Sequence, residues 1–214
     1  MKKQACFIAF LLFITISCSQ QPDQEDAFSS LFDGTTYTGW EGSKEYFRIE
    51  DQSIVAGTLD TIIPLNQFLC TEASFSNFEL RLKTKFTARD NNAGIQFRTA
   101  RIPDHHEVIG YQCDVGYMPG RPIWASLYDE SRRKRFLVEP PVEKVEAVLR
   151  PDDWNDFRIR CEGAAIKIWL NERLMVDYTE SDQSVPAKGI ICLQIHSGPP
   201  AEAWYRDIQL MTLD

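Results

Sequence analysis

Residues 77–87 read Asn-Phe-Glu-Leu-Arg-Leu-Lys-Thr-Lys-Phe-Thr, a two-residue alternation of apolar and polar side chains. A strand turns successive side chains to opposite faces, so Phe78, Leu80 and Leu82 share one side while Glu79, Arg81 and Lys83 share the other. One face buried and one in water is what an antiparallel sheet requires. The same pattern recurs on both sides of this stretch. Residues 46–50 and 53–57 read as a hairpin around Asp51-Gln52. A turn at Asp90-Asn91-Asn92 leads into strands at 93–99 and 107–116, and 124–128 follows. Residues 156–161, 165–170 and 173–178 form a meander with turns at Glu162-Gly163 and Asn171-Glu172, and 189–195 and 203–213 close the chain.

No window has helical periodicity beyond one short turn at 142–149, ended before Pro151. Many short strands separated by Gly, Asn and Asp turns predict an all-β domain. The expected architecture is a concanavalin A-like jelly-roll β-sandwich of two antiparallel sheets, covering residues 28–214.

Three of these strands carry polar pairs two residues apart: Gln96 with Arg98, Gln112 with Asp114, and Gln194 with His196. Each pair is expected to share a face. Amides, a guanidinium, a carboxylate and an imidazole on one sheet surface suit a hydroxyl-rich ligand.

The start of the chain reads differently. Lys2 and Lys3 precede an apolar run, 5–16, too short for a permanent membrane span. Thr15-Ile16-Ser17-Cys18 is a loose lipobox, with Thr15 in the usual Leu position. Residues 1–17 are therefore expected to be a lipoprotein signal peptide and Cys18 the lipidated residue. Residues 18–27, polar and acidic, would be a flexible tether. The expected location is the bacterial cell envelope, as an outer-membrane lipoprotein facing the periplasm or the cell surface, touching the membrane only through its lipid.

The formal net charge is −8, and more negative still without the two signal lysines. Such a chain repels phosphate backbones, so no nucleic-acid partner is expected. The one basic run, Arg132-Arg133-Lys134-Arg135, sits beside Asp129 and Glu130 and reads as a solvated or substrate-facing loop. Cys70, Cys113, Cys161 and Cys192 lie in apolar runs without CxxC spacing, and are expected to be small buried hydrophobes rather than bridges or zinc ligands. The His105-His106 pair, flanked by Asp104 and Glu107, is a weak metal candidate. No organic cofactor is expected, and a divalent metal is left open. No glycine-rich nucleotide motif is present.

A series of short motifs resembles one family. It runs from Leu31-Phe32-Asp33-Gly34 and Gly39-Trp40 through Phe78-Glu79-Leu80 to Asn92-Ala93-Gly94-Ile95-Gln96-Phe97-Arg98. Tyr111-Gln112-Cys113-Asp114, the stretch 124–133, Trp154-Asn155, Leu170-Asn171, the stretch 193–200 and Tyr205-Arg206-Asp207-Ile208 complete it. Together they resemble the DUF1080 or 3-keto-disaccharide hydrolase family, common in Bacteroidetes. The resemblance implies a concanavalin-like fold and cleavage of glycosides carrying a ketone at C3. That ketone acidifies the C2 proton, so a base can form an enolate, the C1 substituent leaves, and water adds to the enone. A base, an oxyanion polariser and an acid are required. A sugar 3-oxidoreductase would have to make the ketone.

The residues expected to carry this chemistry are His196, Asp114 and Glu130. Gln96, Arg98, Gln112, Tyr128, Trp169, Gln194 and Trp204 are expected to bind substrate, the aromatics by stacking on sugar faces. Arg98 could instead pair with Asp114. Trp40 and Trp154 read as core or corner residues. Two other functions stay open: a non-catalytic sugar-binding module, and a conventional glycosidase using two carboxylates.

Overall fold

The computed structural model describes residues 27–214. The signal, most of the tether and Cys18 lie outside the described residues. The chain opens with β1 (Ser29–Ser30), β2 (Trp40–Glu41), β3 (Phe47–Glu50) and β4 (Ser53–Thr58). Next come β5 (Gln67–Thr71), β6 (Phe78–Phe86), β7 (Asn92–Arg101), β8 (Val108–Met118), β9 (Arg121–Pro122), β10 (Leu127–Glu130) and β11 (Arg135–Val138). One helical turn, α1 (Val142–Glu146), precedes β12 (Asn155–Glu162), β13 (Ala165–Leu170), β14 (Arg173–Thr179), β15 (Ile190–Ile195) and β16 (Ala201–Thr212).

Two antiparallel sheets result. Sheet A runs β14-β13-β12-β6-β16-β4-β3, with β1 added to β16. Sheet B runs β11-β10-β8-β7-β15-β5-β2, with β9 added to β8. This is the two-sheet sandwich that the alternation predicts. The core between the sheets takes Phe78, Leu80 and Leu82 from β6, Ile95 and Phe97 from β7, and Leu193 and Ile195 from β15. Trp40 is buried at a corner, where its indole N–H donates to the Leu31 carbonyl at 2.7 Å. Trp154, by contrast, is only half-buried and carries Lys85 and Arg206 over its ring.

Two expectations need correction. Cys70 and Cys192 are bonded to each other, not free; they face one another across the β5–β15 ladder although 122 residues separate them. Cys113 and Cys161 are free buried thiols, as expected, and burial pushes Cys161 up to about 12. The basic run is not a solvated or substrate-facing loop at its start. Arg132 and Arg133 turn inward onto the buried Asp129, at 2.8 and 3.1 Å. Arg133 also meets Glu180 at 2.8 Å, and Arg132 lies over the Tyr111 ring. A buried carboxylate must be paired, and the adjacent arginines are the partners within reach.

Candidate functional site

Sheet B packs one face against the core and turns the other away from it. On the away-facing side, Gln96 of β7, Gln112 of β8 and Tyr128 of β10 lie in one cross-strand row. The next row holds Gln194, Gly94 and Asp114. His196 follows directly after β15, its backbone N–H donating to the Asn92 carbonyl at 3.1 Å. Period-two alternation thus brings all three expected catalytic residues to one side.

They line a single cleft of about 380 Å³, where His196, Asp114 and Glu130 are joined by Gln112 and Tyr128. The expected catalytic set and two of the expected binding residues therefore converge. Tyr128 packs edge-on to Phe136, centroids 5.2 Å apart, making an aromatic wall.

Polar contacts beneath the cleft form a chain. The Gln96 amide donates to the Gln112 carbonyl oxygen, and the Gln112 amide donates to Asp114 Oδ1 at 2.6 Å. Asp114 Oδ2 is buried and has no partner in the protein. Gly94 makes this possible. A Cβ there would stand 2.5 Å from Gln112 Cδ, so only glycine leaves room for the amide to cross the row.

Two carboxyls of this cleft resist ionisation. Burial pushes Asp114 well above the usual carboxylate range; the Gln112 amide opposes this, while the charges of Glu130 and Glu139 add to it. Burial raises Glu130 to about 7, reinforced by Glu107 and opposed by the Ser131 amide and Lys134. His196 Nδ1 lies 2.6 Å from the Ser197 carbonyl oxygen.

Residues with no sequence signal hold this geometry. Asn91 donates to the Pro199 carbonyl at 2.7 Å, and Asn66 accepts from the Ser197 amide at 2.8 Å, so both fix the turn after His196. Asn91 had been visible only as a turn residue. Asn66 and Phe136 had nothing to mark them.

Other expected binding residues fall elsewhere. Gln96 and Gln194 are fully buried beneath the site rather than lining it, and both amide atoms of Gln194 lack a protein partner. Arg98 does not share a face with Gln96. A bulge shifts the register after Phe97, Arg98 takes a φ of 48°, and the parity of the strand changes there. Its guanidinium donates to the carbonyls of Ser76 and Gly163 and makes no pair with Asp114. Trp169 and Trp204 belong to sheet A, the opposite layer, so they cannot stack on a sugar in this cleft. Arg158 covers Trp169 at 3.7 Å, and Lys85 covers Trp204 at 4.4 Å.

A larger hollow, about 880 Å³, lies over sheet A beside Arg158 and Trp169. Most of its charges are already matched, Lys83 with Asp207 and Arg150 with Asp156. Size alone favours it; the unpartnered buried carboxyl favours the smaller cleft. His105 and His106 do not splay apart as a strand would make them. They occupy a turn with rings stacked at 4.6 Å, and among the described residues no three-residue metal-binding cluster exists.

Two antiparallel sheets with a polar cleft on one outer face define a lectin-like β-sandwich. The chain belongs to the 3-keto-alpha-glucoside-1,2-lyase-like domain family, whose model matches residues 27–211. This is a carbohydrate-related family. No curated protein matches the chain. Among solved structures, it is similar to a candidate glycosyl hydrolase from Parabacteroides distasonis (TM-score 0.67, 16% identity, covering 89% of this chain and 96% of that one). It is also similar to the carbohydrate-binding module CBM66 from Bacillus subtilis (0.56, 16%, 81% and 96%). The carbohydrate recognition domain of Emp46p is another (0.61, 9%, 83% and 90%). At these identities the likeness establishes the fold alone.

Proposed function

We propose that this protein cleaves glycosides oxidised at C3, by elimination across C1 and C2 followed by hydration. The observation that carries this reading is the cleft itself, where a histidine and two carboxyls with raised pKa values meet.

The roles follow from the proton positions. A carbonyl oxygen only accepts hydrogen bonds, so the neutral His196 ring carries its proton on Nδ1, facing Ser197. Nε2 then has the lone pair that takes the C2 proton. Burial favours the protonated form of Asp114. Gln112 occupies Oδ1 as a donor, so the Asp114 proton belongs on Oδ2, free to donate to the enolate oxygen. Glu130, titrating at about 7, gives its proton to the departing C1 oxygen.

The C2–H electrons form the enolate, the C1–O bond breaks toward the leaving oxygen, and an enone remains. Glu130 next accepts a proton from water as the hydroxyl adds at C1, and His196, having exchanged its proton with solvent at the enone stage, protonates C2. Tyr128 and Phe136 supply the apolar wall for the sugar ring. A sugar 3-oxidoreductase would supply the ketone, and lipidation at Cys18 would hold the enzyme at the cell envelope.

The test is product analysis on matched glucosides, plain and C3-oxidised, run in deuterated water. Cleavage of the oxidised set alone, with deuterium at C2, is the expected result. Cleavage of the plain set without exchange would replace this reading with paired-carboxylate hydrolysis. Saturable binding with no cleavage of either set would make the domain a sugar-binding module.

A further inference from the structure

On the outer face of sheet A two arginines stand directly opposite one another. Arg81 of β6 and Arg158 of β12 are cross-strand partners, in a row that continues to Trp169 of β13 on one side and Gln209 of β16 on the other. Like charges in facing positions oppose strand pairing, so the arrangement costs stability unless an anion answers it. Glu79 answers Arg81 at 2.7 Å. Among the described residues no carboxylate answers Arg158, whose guanidinium carbon instead lies 3.7 Å from the centre of the Trp169 ring. Stacking occupies the flat face of a guanidinium and leaves its in-plane N–H donors free.

Two hollows meet at this pair, and Arg158 and Trp169 line both. The larger, about 880 Å³, extends toward Asp156 and Lys83. The smaller, about 290 Å³, extends toward Arg160 and Glu162. The outward positions of β12 from Asp156 to Glu162 follow both hollows over roughly 20 Å, at about 3.3 Å per residue. The remaining cations along this groove are matched. Lys83 meets Asp207, Arg150 meets Asp156, Arg160 meets Glu162 and Lys167 meets Asp177, at 2.8 to 3.4 Å.

Arg158 is therefore the one cation of the groove with donors to spare. A carboxylate suits it, because its two oxygens match the guanidinium fork. The groove is several sugar rings long, and its paired ions offer donors and acceptors to hydroxyl groups. A densely charged polyanion does not suit it. Asp156, Asp207 and Glu172 line the larger hollow, and the whole chain carries a net charge of −8.

We propose that the outer face of sheet A is a second carbohydrate site, in the layer opposite the cleft. Its ligand is an oligosaccharide carrying a sparse carboxylate, a uronic-acid unit among neutral sugars. Arg158, positioned by Trp169, binds the carboxylate beside Arg81. This site is independent of the elimination chemistry proposed above.

The experiment is calorimetric titration of the purified full-length protein at low salt. The probes are a xylotriose bearing one glucuronate, uncharged xylotetraose, and free glucuronate. The acidic oligosaccharide is expected to bind at least about tenfold more tightly than either of the others, and Arg158→Gln to lose about tenfold of that affinity. Arg135→Gln, which removes the same charge from sheet B, and His196→Gln, which alters the cleft, are expected to bind like wild type.

Equal binding of the acidic and neutral oligosaccharides, or no binding of either, overturns the proposal, and that comparison needs no variant to fold. Free glucuronate binding as tightly as the oligosaccharide would make this a small-anion site and end the glycan reading. Affinity lost in His196→Gln but kept in Arg158→Gln would move the carboxylate to the cleft and overturn the proposal as well.

Discussion

The Nδ1 atom of His196 lies 2.6 Å from the carbonyl oxygen of the very next residue, Ser197. The contact fixes the tautomer, and Asn66 and Asn91 fix the turn that makes it. His196→Gln keeps a side chain of similar reach but no comparable base. It is expected to lower kcat by about 100-fold or more, the scale of a lost general base, with little change in Tm. The check is steady-state kinetics beside a thermal melt. Near-wild-type kcat would remove His196 from the mechanism.

Glu130 couples function to stability with an unusual sign. Its folded pKa, about 7, lies above the ordinary 4.5. The folded state therefore holds this proton more tightly than the unfolded chain, and ionisation costs stability progressively as pH rises from 4.5 to 7. Glu130→Gln is expected to raise stability at pH 8 by about 1–2 kcal/mol after allowance for partial exposure, while impairing turnover. Wild-type activity is expected to fall above pH 7 because the acid is lost. An activity that climbs through pH 7 would make Glu130 a base instead.

Gln112 acts through Asp114. Replacing it with Leu removes the donor at Oδ1 and opposes ionisation of Asp114 further, since that hydrogen bond is the main influence lowering its pKa. The expected outcome is a fall in kcat of about tenfold with a smaller change in KM. Carbon-13 NMR titration of the Asp114 carboxyl is expected to show its pKa move upward. Gly94→Ala should produce part of the same effect, because the new Cβ displaces the Gln112 amide. A carboxyl resonance that titrates identically in wild type and Gln112→Leu would refute the coupling.

Glu180 shows the opposite linkage. Burial would raise its pKa, but hydrogen bonds from Arg133, Tyr111, the Asp182 amide and Tyr178 outweigh that and hold it at about 2. The ordinary value is 4.5, so this group's stabilisation is complete above 4.5 and is lost as pH falls toward 2. Glu180→Gln is expected to cost about 1–2 kcal/mol at pH 7, discounted for solvent screening. It should also flatten the decline of stability between pH 4.5 and 2. Urea titrations at several pH values measure both, and an unchanged pH slope would argue against the cluster.

The alternation in 77–87 was enough to place Phe78, Leu80 and Leu82 in the core, because strand parity is a local property of the chain. Parity likewise put Gln112 and Asp114 on one face, and carried from Gln194 to His196 at the end of β15. It failed at Arg98 for the same reason it worked elsewhere. One bulge residue after Phe97 inverts the face, and nothing in the local sequence announces that inversion.

What the sequence determined alone was a sandwich of alternating strands, the family, and the three residues that meet in the cleft. Tertiary structure decided which layer each aromatic occupies, and so removed Trp169 and Trp204 from the site. It also decided that Cys70 faces Cys192, that Arg132 and Arg133 turn inward, and that Asn66 and Phe136 join the cleft. These are non-local facts. Sheet order and register bring together residues far apart in the chain, whereas periodicity reports only which way each side chain faces along its own strand.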